Sequence, residues 1–113
     1  MLIAEMTPEQ MDHHIAQGDL VLVDFWAEWC APCKQFAVVY ERVETDYPEI
    51  FFAKVNIEKQ IAIAETLEIR SIPHLMIFKF GALIFSESGS MPESRLRELV
   101  KQAQAIKAGQ VVV

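Results

Sequence analysis

The sequence has little positive charge, few cysteines and no long apolar run. Lysine and arginine number 10 against 16 aspartates and glutamates, so the formal net charge is −6. Nucleic acids and anionic membranes are bound by clustered positive charge, and this deficit therefore argues against both as partners. No stretch approaches the ~20 apolar residues of a membrane helix. The opening MLIAEMTPEQ carries acids where a signal peptide would carry lysine or arginine, which predicts a cytoplasmic chain.

The only two cysteines, Cys30 and Cys33, are too few for the disulfide framework of a small secreted protein. They are also too few for zinc, which takes about four ligands, commonly from a second CxxC or from paired histidines. The remaining His13, His14 and His74 lack that spacing, so we expect no bound metal. We expect no other bound cofactor, and the Cys30–Cys33 disulfide would itself be the redox-active group. The two adjacent histidines are expected at the solvated surface. Packing does not require two cysteines around Ala-Pro, which favours redox chemistry over an incidental pair.

Helix and strand patterns alternate along the chain without repeats or a linker. Because 52% of the residues are hydrophobic, we expect one domain over residues 1–113. Helices are predicted at about 8–17, from the second cysteine to near Pro48, at 57–67, and from a Ser90 cap to Gly109. Strands are predicted at 20–26, 50–55, 75–80 and 82–85, the last two as a hairpin. This order predicts an α/β fold with a central mixed β-sheet flanked by helices on both faces. The tail, residues 110–113, fits neither pattern.

The cysteine pair falls between the end of an apolar strand, LVLVDFW, and the start of a helix. In open α/β sheets this edge is where sites are built. Pro32 suits a first helical turn, so Cys30 would lie at the helix N-terminus, where free N–H groups and the dipole stabilise a thiolate. Cys33 would lie on the same helical face, within reach of a disulfide. We therefore expect Cys30 at the exposed tip as the attacking thiolate and Cys33, more buried, as the resolving cysteine.

Two charged residues interrupt apolar strands, Asp24 in the first and Lys54 in FFAKVNI. Burying an unpaired carboxylate costs several kcal/mol, so a buried Asp24 would be paired, hydrogen-bonded or protonated. Desolvation would raise its pKa. One interpretation is an interaction between Asp24 and Lys54 across neighbouring strands. The other is that both side chains reach solvent at the strand ends.

The joint occurrence of VLVDFWAEWCAPCK, AKVNI, IRSIPHLMIFKFG and an SGS turn before the last helix resembles the thioredoxin family. The resemblance covers roughly residues 20–99, and these motifs together are far more specific than CxxC alone. It implies a thioredoxin fold and dithiol–disulfide exchange with disulfide-containing client proteins. It also implies that a thioredoxin reductase restores the dithiol, so that NADPH acts only indirectly. We expect the chain to be a monomer.

The resemblance also assigns roles to individual positions. Asp24 matches the family's buried acid, which assists proton transfer to and from the resolving cysteine, and Lys54 matches its lysine partner. Pro73 matches a cis proline that faces the cysteines, and the backbone of the preceding Ile72 would hydrogen-bond an extended substrate. Trp26 is expected to pack beside the site. The apolar contact surface around the attacking cysteine would comprise Trp29, Ala31, Pro32, Ile72, Pro73 and Gly89.

The sequence departs from the family pattern near the site. Ala31 stands where glycine is common, which adds a methyl group beside the reacting sulfur and could shift the reduction potential. His74 stands where threonine commonly follows the cis proline. It would either titrate near neutral pH and bias the charge of the thiolate, or face the surface without a redox role.

Two rival functions stay open. An oxidant or isomerase of the same fold would introduce or rearrange disulfides, and the expected lack of a signal segment argues against it. A non-catalytic binding module would use the fold as a subunit or chaperone of a larger assembly, but it would not need an intact dithiol. The reduction potential that separates the first of these from a reductant cannot be read from the sequence.

Overall fold

The computed structural model describes residues 1–110, and the last part of the tail, residues 111–113, lies outside the described residues. In chain order the elements are β1 (Leu2–Ile3), α1 (Pro8–Gln17), β2 (Val21–Trp26), α2 (Ala31–Thr45), β3 (Phe51–Asn56), α3 (Ile61–Thr66), β4 (His74–Lys79), β5 (Ala82–Ser88), α4 (Glu93–Ala105) and a 3-10 turn at Ala108–Gln110. Each helix within residues 1–110 is too short or too polar to span a bilayer.

The strands form one sheet in the order β1-β3-β2-β4-β5. β1, β3 and β2 are parallel, whereas β4 runs antiparallel to both β2 and β5. β2 lies in the centre because its sequence, VLVDFW, is buried on both faces up to Trp26. The predicted mixed sheet is therefore confirmed. β1, which no sequence pattern indicates, has two residues and is held by pairing with Phe52 and Ala53 of β3.

Helices cover both faces of the sheet, as predicted. The α2–α4 layer is the buried cluster of Leu22, Phe36, Tyr40, Val43, Ile50, Phe52, Leu75, Ile77, Leu96, Leu99, Val100 and Ala103. The α1–α3 layer is the cluster on the opposite face: Met6, Met11, Val21, Val23, Phe25, Ala53, Val55, Ile63, Met76 and Phe78. Because side chains alternate along a strand, β2 contributes to both layers.

The first helix begins and ends where its sequence predicts. The Gln10 N–H donates to Thr7 Oγ1, and the Thr7 N–H donates to the Gln10 side chain, which completes a capping box. Pro8 follows the cap in the first turn. Gly18 ends the helix at φ 76°, a left-handed conformation that glycine adopts without a steric penalty.

The helix predicted at 57–67 is shorter than expected, since α3 covers only Ile61–Thr66. The residues after β3 form a turn instead. The Ile57 N–H donates to the Trp26 carbonyl, and the Glu58 N–H donates to Asn56 Oδ1. These bonds satisfy the backbone outside a helix and tie the end of β3 to the end of β2.

The last helix also differs from its prediction at both ends. Pro92, not Ser90, is the N-cap, because Pro92 is extended (φ −70°, ψ 158°) and α4 can begin only after it. At the other end α4 stops at Ala105, well before Gly109.

A lysine takes the place of the predicted glycine at that end. Lys79 Nζ, on β4, donates to the carbonyls of Ala103, Gln104 and Ile106 at 2.6, 3.1 and 2.7 Å. Carbonyls at a helix C-terminus lack N–H partners further along the helix; that of Ala103 also accepts the Ile106 N–H, and a cation there complements the helix dipole.

Candidate active site

The two cysteines lie at the start of α2 and are joined in a disulfide. After β2 ends at Trp26, the chain turns with the Cys30 N–H donating to the Ala27 carbonyl at 3.2 Å. Cys30 is the N-cap of α2, and its Cα lies 5.2 Å from that of Cys33. Pro32 fits the first turn because the N–H that proline lacks would have no helical acceptor there.

The sulfur of Cys30 caps the helix. The Cys33 N–H donates to Cys30 Sγ at 3.2 Å. This sulfur therefore faces a backbone donor and the positive end of the α2 dipole. Both features stabilise a thiolate at Cys30 once the disulfide is reduced.

The expected difference in exposure between the cysteines is not found in the disulfide form. Cys30 is 4% exposed and Cys33 is 2% exposed, so the prediction that Cys30 lies at an exposed tip is wrong here. The physical reason is the loop before β4, which brings the Ile72 carbonyl to 3.7 Å from Cys30 Sγ. A disulfide sulfur has no proton to donate, so this is a contact; the thiol of the reduced form would have one.

The loop before β4 is joined to the end of β5. The Ile72–Pro73 peptide bond is cis, as the resemblance implied. The Gly89 N–H donates to the Pro73 carbonyl at 2.7 Å, and Gly89 has a φ of 104°, which favours glycine. The two open ends of the β4–β5 hairpin thus meet, and the Ile72 carbonyl brings them beside the cysteine pair.

The residues expected to form an apolar contact surface differ in exposure. Trp29 is 67% exposed, although it is a large apolar side chain. Ala31, Pro32 and Gly89 are also exposed, Ile72 is half-buried and Pro73 is buried. A surface around Cys30 can therefore present the indole of Trp29 and the first turn of α2, whereas the buried Pro73 adds little exposed area to it.

Asp24 is fully buried, and its Cα is paired in register with that of Lys54 across β2 and β3. Neither carboxyl oxygen has a hydrogen-bond partner among residues 1–110. Burial raises the pKa of Asp24 to about 7, and the positive charge of Lys54 offsets this only in part. The interpretation that Asp24 reaches solvent is wrong.

Lys54 is half-buried, and its ammonium faces an aromatic ring. Nζ lies 4.9 Å from the centroid of the Trp26 ring. The Trp26 indole N–H is itself buried without an acceptor in the described part of the chain. Trp26 thus packs beside the site as expected, but its contact with Lys54 is not indicated by any sequence pattern.

Tyr40 of α2 is a polar residue of the α2–α4 layer, and its role there was not predicted from the sequence. Its hydroxyl donates to the Ala53 carbonyl at 2.8 Å. Burial, and then the negative charge of Asp24, raise the pKa of Tyr40 well above its usual range. A tyrosine within the apolar stripe of a helix was the available signal, because a buried phenol needs a hydrogen-bond partner.

His74 is half-buried at the start of β4. Its Nε2 lies 2.7 Å from Ser86 Oγ on β5, and its ring packs edge-on against Phe25 with centroids 6.3 Å apart. Burial lowers the pKa of His74 below its usual value. Burial thus favours the neutral form of the imidazole, and an effect of His74 on the thiolate stays a prediction.

The other two histidines differ from each other. His13 is exposed as expected, but His14 is not solvated surface: its Nδ1 lies 3.0 Å from Asp19 Oδ2, and its ring packs against Phe51 with centroids 4.2 Å apart. Within residues 1–110, no group of three or more His, Cys, Asp or Glu side chains is placed to hold a metal ion.

The mixed sheet and the cysteine pair at the start of α2 define a thiol–disulfide oxidoreductase. The sequence model of the Thioredoxin family matches residues 2–102, so the chain belongs to the thioredoxin family and acts by dithiol–disulfide exchange. The similarity extends over nearly the full length of several relatives.

A thioredoxin-type protein of Streptomyces coelicolor is 40% identical over 107 residues, which cover 95% of this chain and 80% of the relative. Thioredoxin-1 of Saccharomyces cerevisiae is 35% identical over 102 residues, which cover 90% of this chain and 94% of the yeast protein. Among solved structures, thioredoxin of Malassezia sympodialis superposes with a TM-score of 0.82 at 29% identity, covering 92% of this chain and 94% of that one.

Proposed function

We propose that the chain is a reductant of disulfides in client proteins, and that a thioredoxin reductase using NADPH returns it to the dithiol form. The observation that carries the exchange chemistry is the hydrogen bond from the Cys33 N–H to Cys30 Sγ at the N-terminus of α2, and the reduction potential tested below decides the direction of exchange. A sulfur at this position is stabilised as a thiolate, and the thiolate is the attacking species in disulfide exchange.

Reduction of a client proceeds in two exchanges. The Cys30 thiolate attacks one client sulfur and forms a mixed disulfide with it, while the client S–S bond breaks and the other client sulfur leaves as a thiolate. Cys33 then loses its proton and attacks Cys30 Sγ, which releases the second client thiolate. The client gains two electrons, and the chain is left with the Cys30–Cys33 disulfide.

Asp24 is the proposed acceptor of the Cys33 proton. It lies on the face of β2 that the α2–α4 layer covers, since it is two positions from Leu22 of that layer and side chains two positions apart on a strand share a face. A general base works best when its pKa is near the ambient pH, and the pKa of Asp24 is about 7. Lys54 is proposed to stabilise the carboxylate after the proton has left.

The proposed client surface surrounds the disulfide. An extended client segment would hydrogen-bond the backbone of Ile72, whose carbonyl already lies 3.7 Å from Cys30 Sγ. Trp29 would contribute apolar contact area, since it is 67% exposed. Backbone pairing gives affinity without demanding a particular sequence, which suits a reductant of many proteins.

The deciding experiment is the reduction potential of the Cys30–Cys33 pair. The protein would be equilibrated with defined ratios of a dithiol and its disulfide, and tryptophan fluorescence would report the oxidised fraction. A value near −270 mV, typical of thioredoxins, supports the reductant, whereas a value above about −200 mV supports the oxidant or isomerase instead. Cys33→Ser is the control that should show no such transition.

The partners, the monomeric state and the location belong to the same proposal. A reductant of this kind works in the cytoplasm, where thiols are kept reduced. Oxidation of NADPH should require thioredoxin reductase, a disulfide-containing client and this chain together, and it should stop with Cys30→Ser. If the Cys30→Ser, Cys33→Ser protein still performed the cellular task, the non-catalytic binding module would replace the proposal.

A further inference from the structure

The ammonium of Lys54 has two possible binding partners on β2. One is the ring of Trp26, which it faces at 4.9 Å. The other is Asp24, which is paired with Lys54 in the strand register and lies on the same face of β2 as Trp26. In the disulfide form the ammonium is at the ring, because the carboxyl oxygens of Asp24 have no partner among residues 1–110.

The groups that face Asp24 leave Lys54 as the cation that can neutralise it. From α2, Tyr40 faces it as a phenol whose hydroxyl is already bound to a backbone carbonyl. From β4, the neighbour in register is Leu75, and α4 contributes Leu96 to the same cluster. None of these side chains carries a positive charge. The ease with which Asp24 ionises therefore depends on where the Lys54 ammonium lies.

Trp26 is suited to hold that ammonium. Tryptophan binds cations over its ring face better than the other aromatic residues do. A buried indole N–H usually finds an acceptor, yet that of Trp26 has none in the described residues. The contact with Lys54 is thus the polar interaction that the structure gives this side chain.

We propose that Trp26 is a positioning residue, which binds the Lys54 ammonium while Asp24 is protonated and releases it to the carboxylate when Asp24 loses its proton. The ring and the carboxylate compete for one cation, so the strength of the ring contact sets the pH at which Asp24 ionises. This inference rests on the acid–base role proposed for Asp24. It adds a residue that acts on the proton transfer through Lys54 and touches neither cysteine nor client.

The test is a double-mutant cycle in which the pKa of the Asp24 carboxyl is the measured quantity. The pKa of Asp24 would be measured by carbon-13 NMR of the oxidised protein, for the wild type, Trp26→Leu, Lys54→Met and the double variant. Without the ring, the ammonium is free to pair with the carboxylate, and we expect the ionisation constant of Asp24 to rise about threefold, a fall of about half a pH unit. In the Lys54→Met background the same change should have much less effect, because no cation remains to be released.

The cycle separates this mechanism from entry of water. Leucine is smaller than tryptophan, so the space it leaves could admit water to Asp24. Water would also lower the pKa of Asp24, but it would do so with or without Lys54. Equal shifts in both backgrounds would therefore overturn the proposal. Trp29→Leu, a change of the same kind at an exposed position, should leave the ionisation of Asp24 unchanged.

A second variant covers the case in which Trp26→Leu does not fold. Trp26→Phe keeps an aromatic face that binds cations more weakly, so a smaller shift is expected, again only when Lys54 is present. A shift that is the same in both backgrounds would again contradict the proposal. This experiment measures the ionisation of Asp24, so it can contradict the role of Trp26 without contradicting the acid–base role of Asp24. The acid–base role would instead be contradicted if Asp24→Asn left the exchange kinetics unchanged at every pH.

Discussion

The two faces of β2 carry different kinds of residue. Toward the α1–α3 layer the strand presents Val21, Val23 and Phe25, within a cluster that is apolar throughout. Toward the α2–α4 layer it presents Leu22, Asp24 and, at its end, the half-buried Trp26. One strand thus contributes stability on one side and chemistry on the other, because alternation keeps the two sets of side chains apart.

The difference between the faces has a thermodynamic consequence. The buried Asp24 has no hydrogen-bond partner in the described residues, and burying a charge without a partner is costly. The α2–α4 layer packs large aromatic side chains around it, among them Tyr40 against Phe52 with centroids 5.2 Å apart. Stability should therefore depend on pH through the α2–α4 side of β2 and not through its α1–α3 side.

The largest effect is expected from Asp24→Asn. The pKa of Asp24 is raised from 3.8 to about 7 on folding, so its stabilising effect is complete below pH 3.8 and is lost as the pH rises through 7. By linkage, ionisation of this group lowers the free energy of unfolding by up to about 4 kcal/mol between roughly pH 4 and pH 8. Asparagine does not titrate, so the variant should lack this part of the pH dependence. Urea unfolding of the oxidised protein across that range measures it.

Val23→Ala is the matched control for this prediction, because Val23 is the preceding residue and points into the other layer. Removing its buried methyl groups should cost about 2 kcal/mol at every pH, since no titrating group is involved. A pH-dependent loss for Val23→Ala, or a wild-type slope that survives in Asp24→Asn, would break the division between the two faces.

A smaller effect is expected from Lys79→Met at the edge of the α2–α4 layer. The change removes the ammonium that three carbonyls of the α4 C-terminus accept from. The loss should be about 2 kcal/mol, since hydrogen bonds to a charged group are worth more than neutral ones. Thermal or urea unfolding measures it. Lys101→Met, at an exposed position of α4, should change stability much less, and equal losses would contradict the capping role.

The features that the sequence could predict are those with local causes. Cys30 at a helix start follows from Pro32 two residues later, and Asp24 is conspicuous because it interrupts an apolar strand. Lys79 and Lys54 could not be placed in the same way. Both have long side chains whose ammonium groups reach atoms on other elements, and only the packed fold determines which atoms those are.

Local signals also failed where neighbouring residues overrode them. Ser90 has the chemistry of a helix cap, but Pro92 fixes an extended conformation between it and α4. Cys30 lies at the helix start, as predicted, yet it is buried, because the loop that contains Ile72 comes from a distant part of the chain and covers its sulfur. In both cases the residue type indicated a helix start, but neighbouring segments determined the conformation or the exposure that the residue has in the fold.

The next effect concerns the surface at which the proposed chemistry reaches clients. Trp29→Ala should raise the KM for a disulfide-containing protein about tenfold, because exposed aromatic residues at interfaces often carry much of the binding energy. The rate with a small disulfide that makes no surface contact should stay unchanged. Val38→Ala, also an exposed apolar position on α2, is the control and should affect neither rate. An equal loss with both substrates would mean that Trp29 acts on the cysteines and not on the client.

The smallest effect is expected on the α1–α3 side, from Thr7→Ala. The change removes Oγ1, which accepts the Gln10 N–H at 3.2 Å in the capping box of α1. Loss of such a cap costs about 1 kcal/mol, and the loss should be the same at pH 4 and pH 8, since neither side chain of the box titrates. Thr45→Ala is the control, because its hydroxyl only donates to the Glu41 carbonyl within α2 and adds little to a helix. A loss for Thr7→Ala that varied with pH in the wild type, but not in the Asp24→Asn background, would show that α1 senses the ionisation of Asp24 through the sheet, and the two faces of β2 would then have to be treated as one coupled unit.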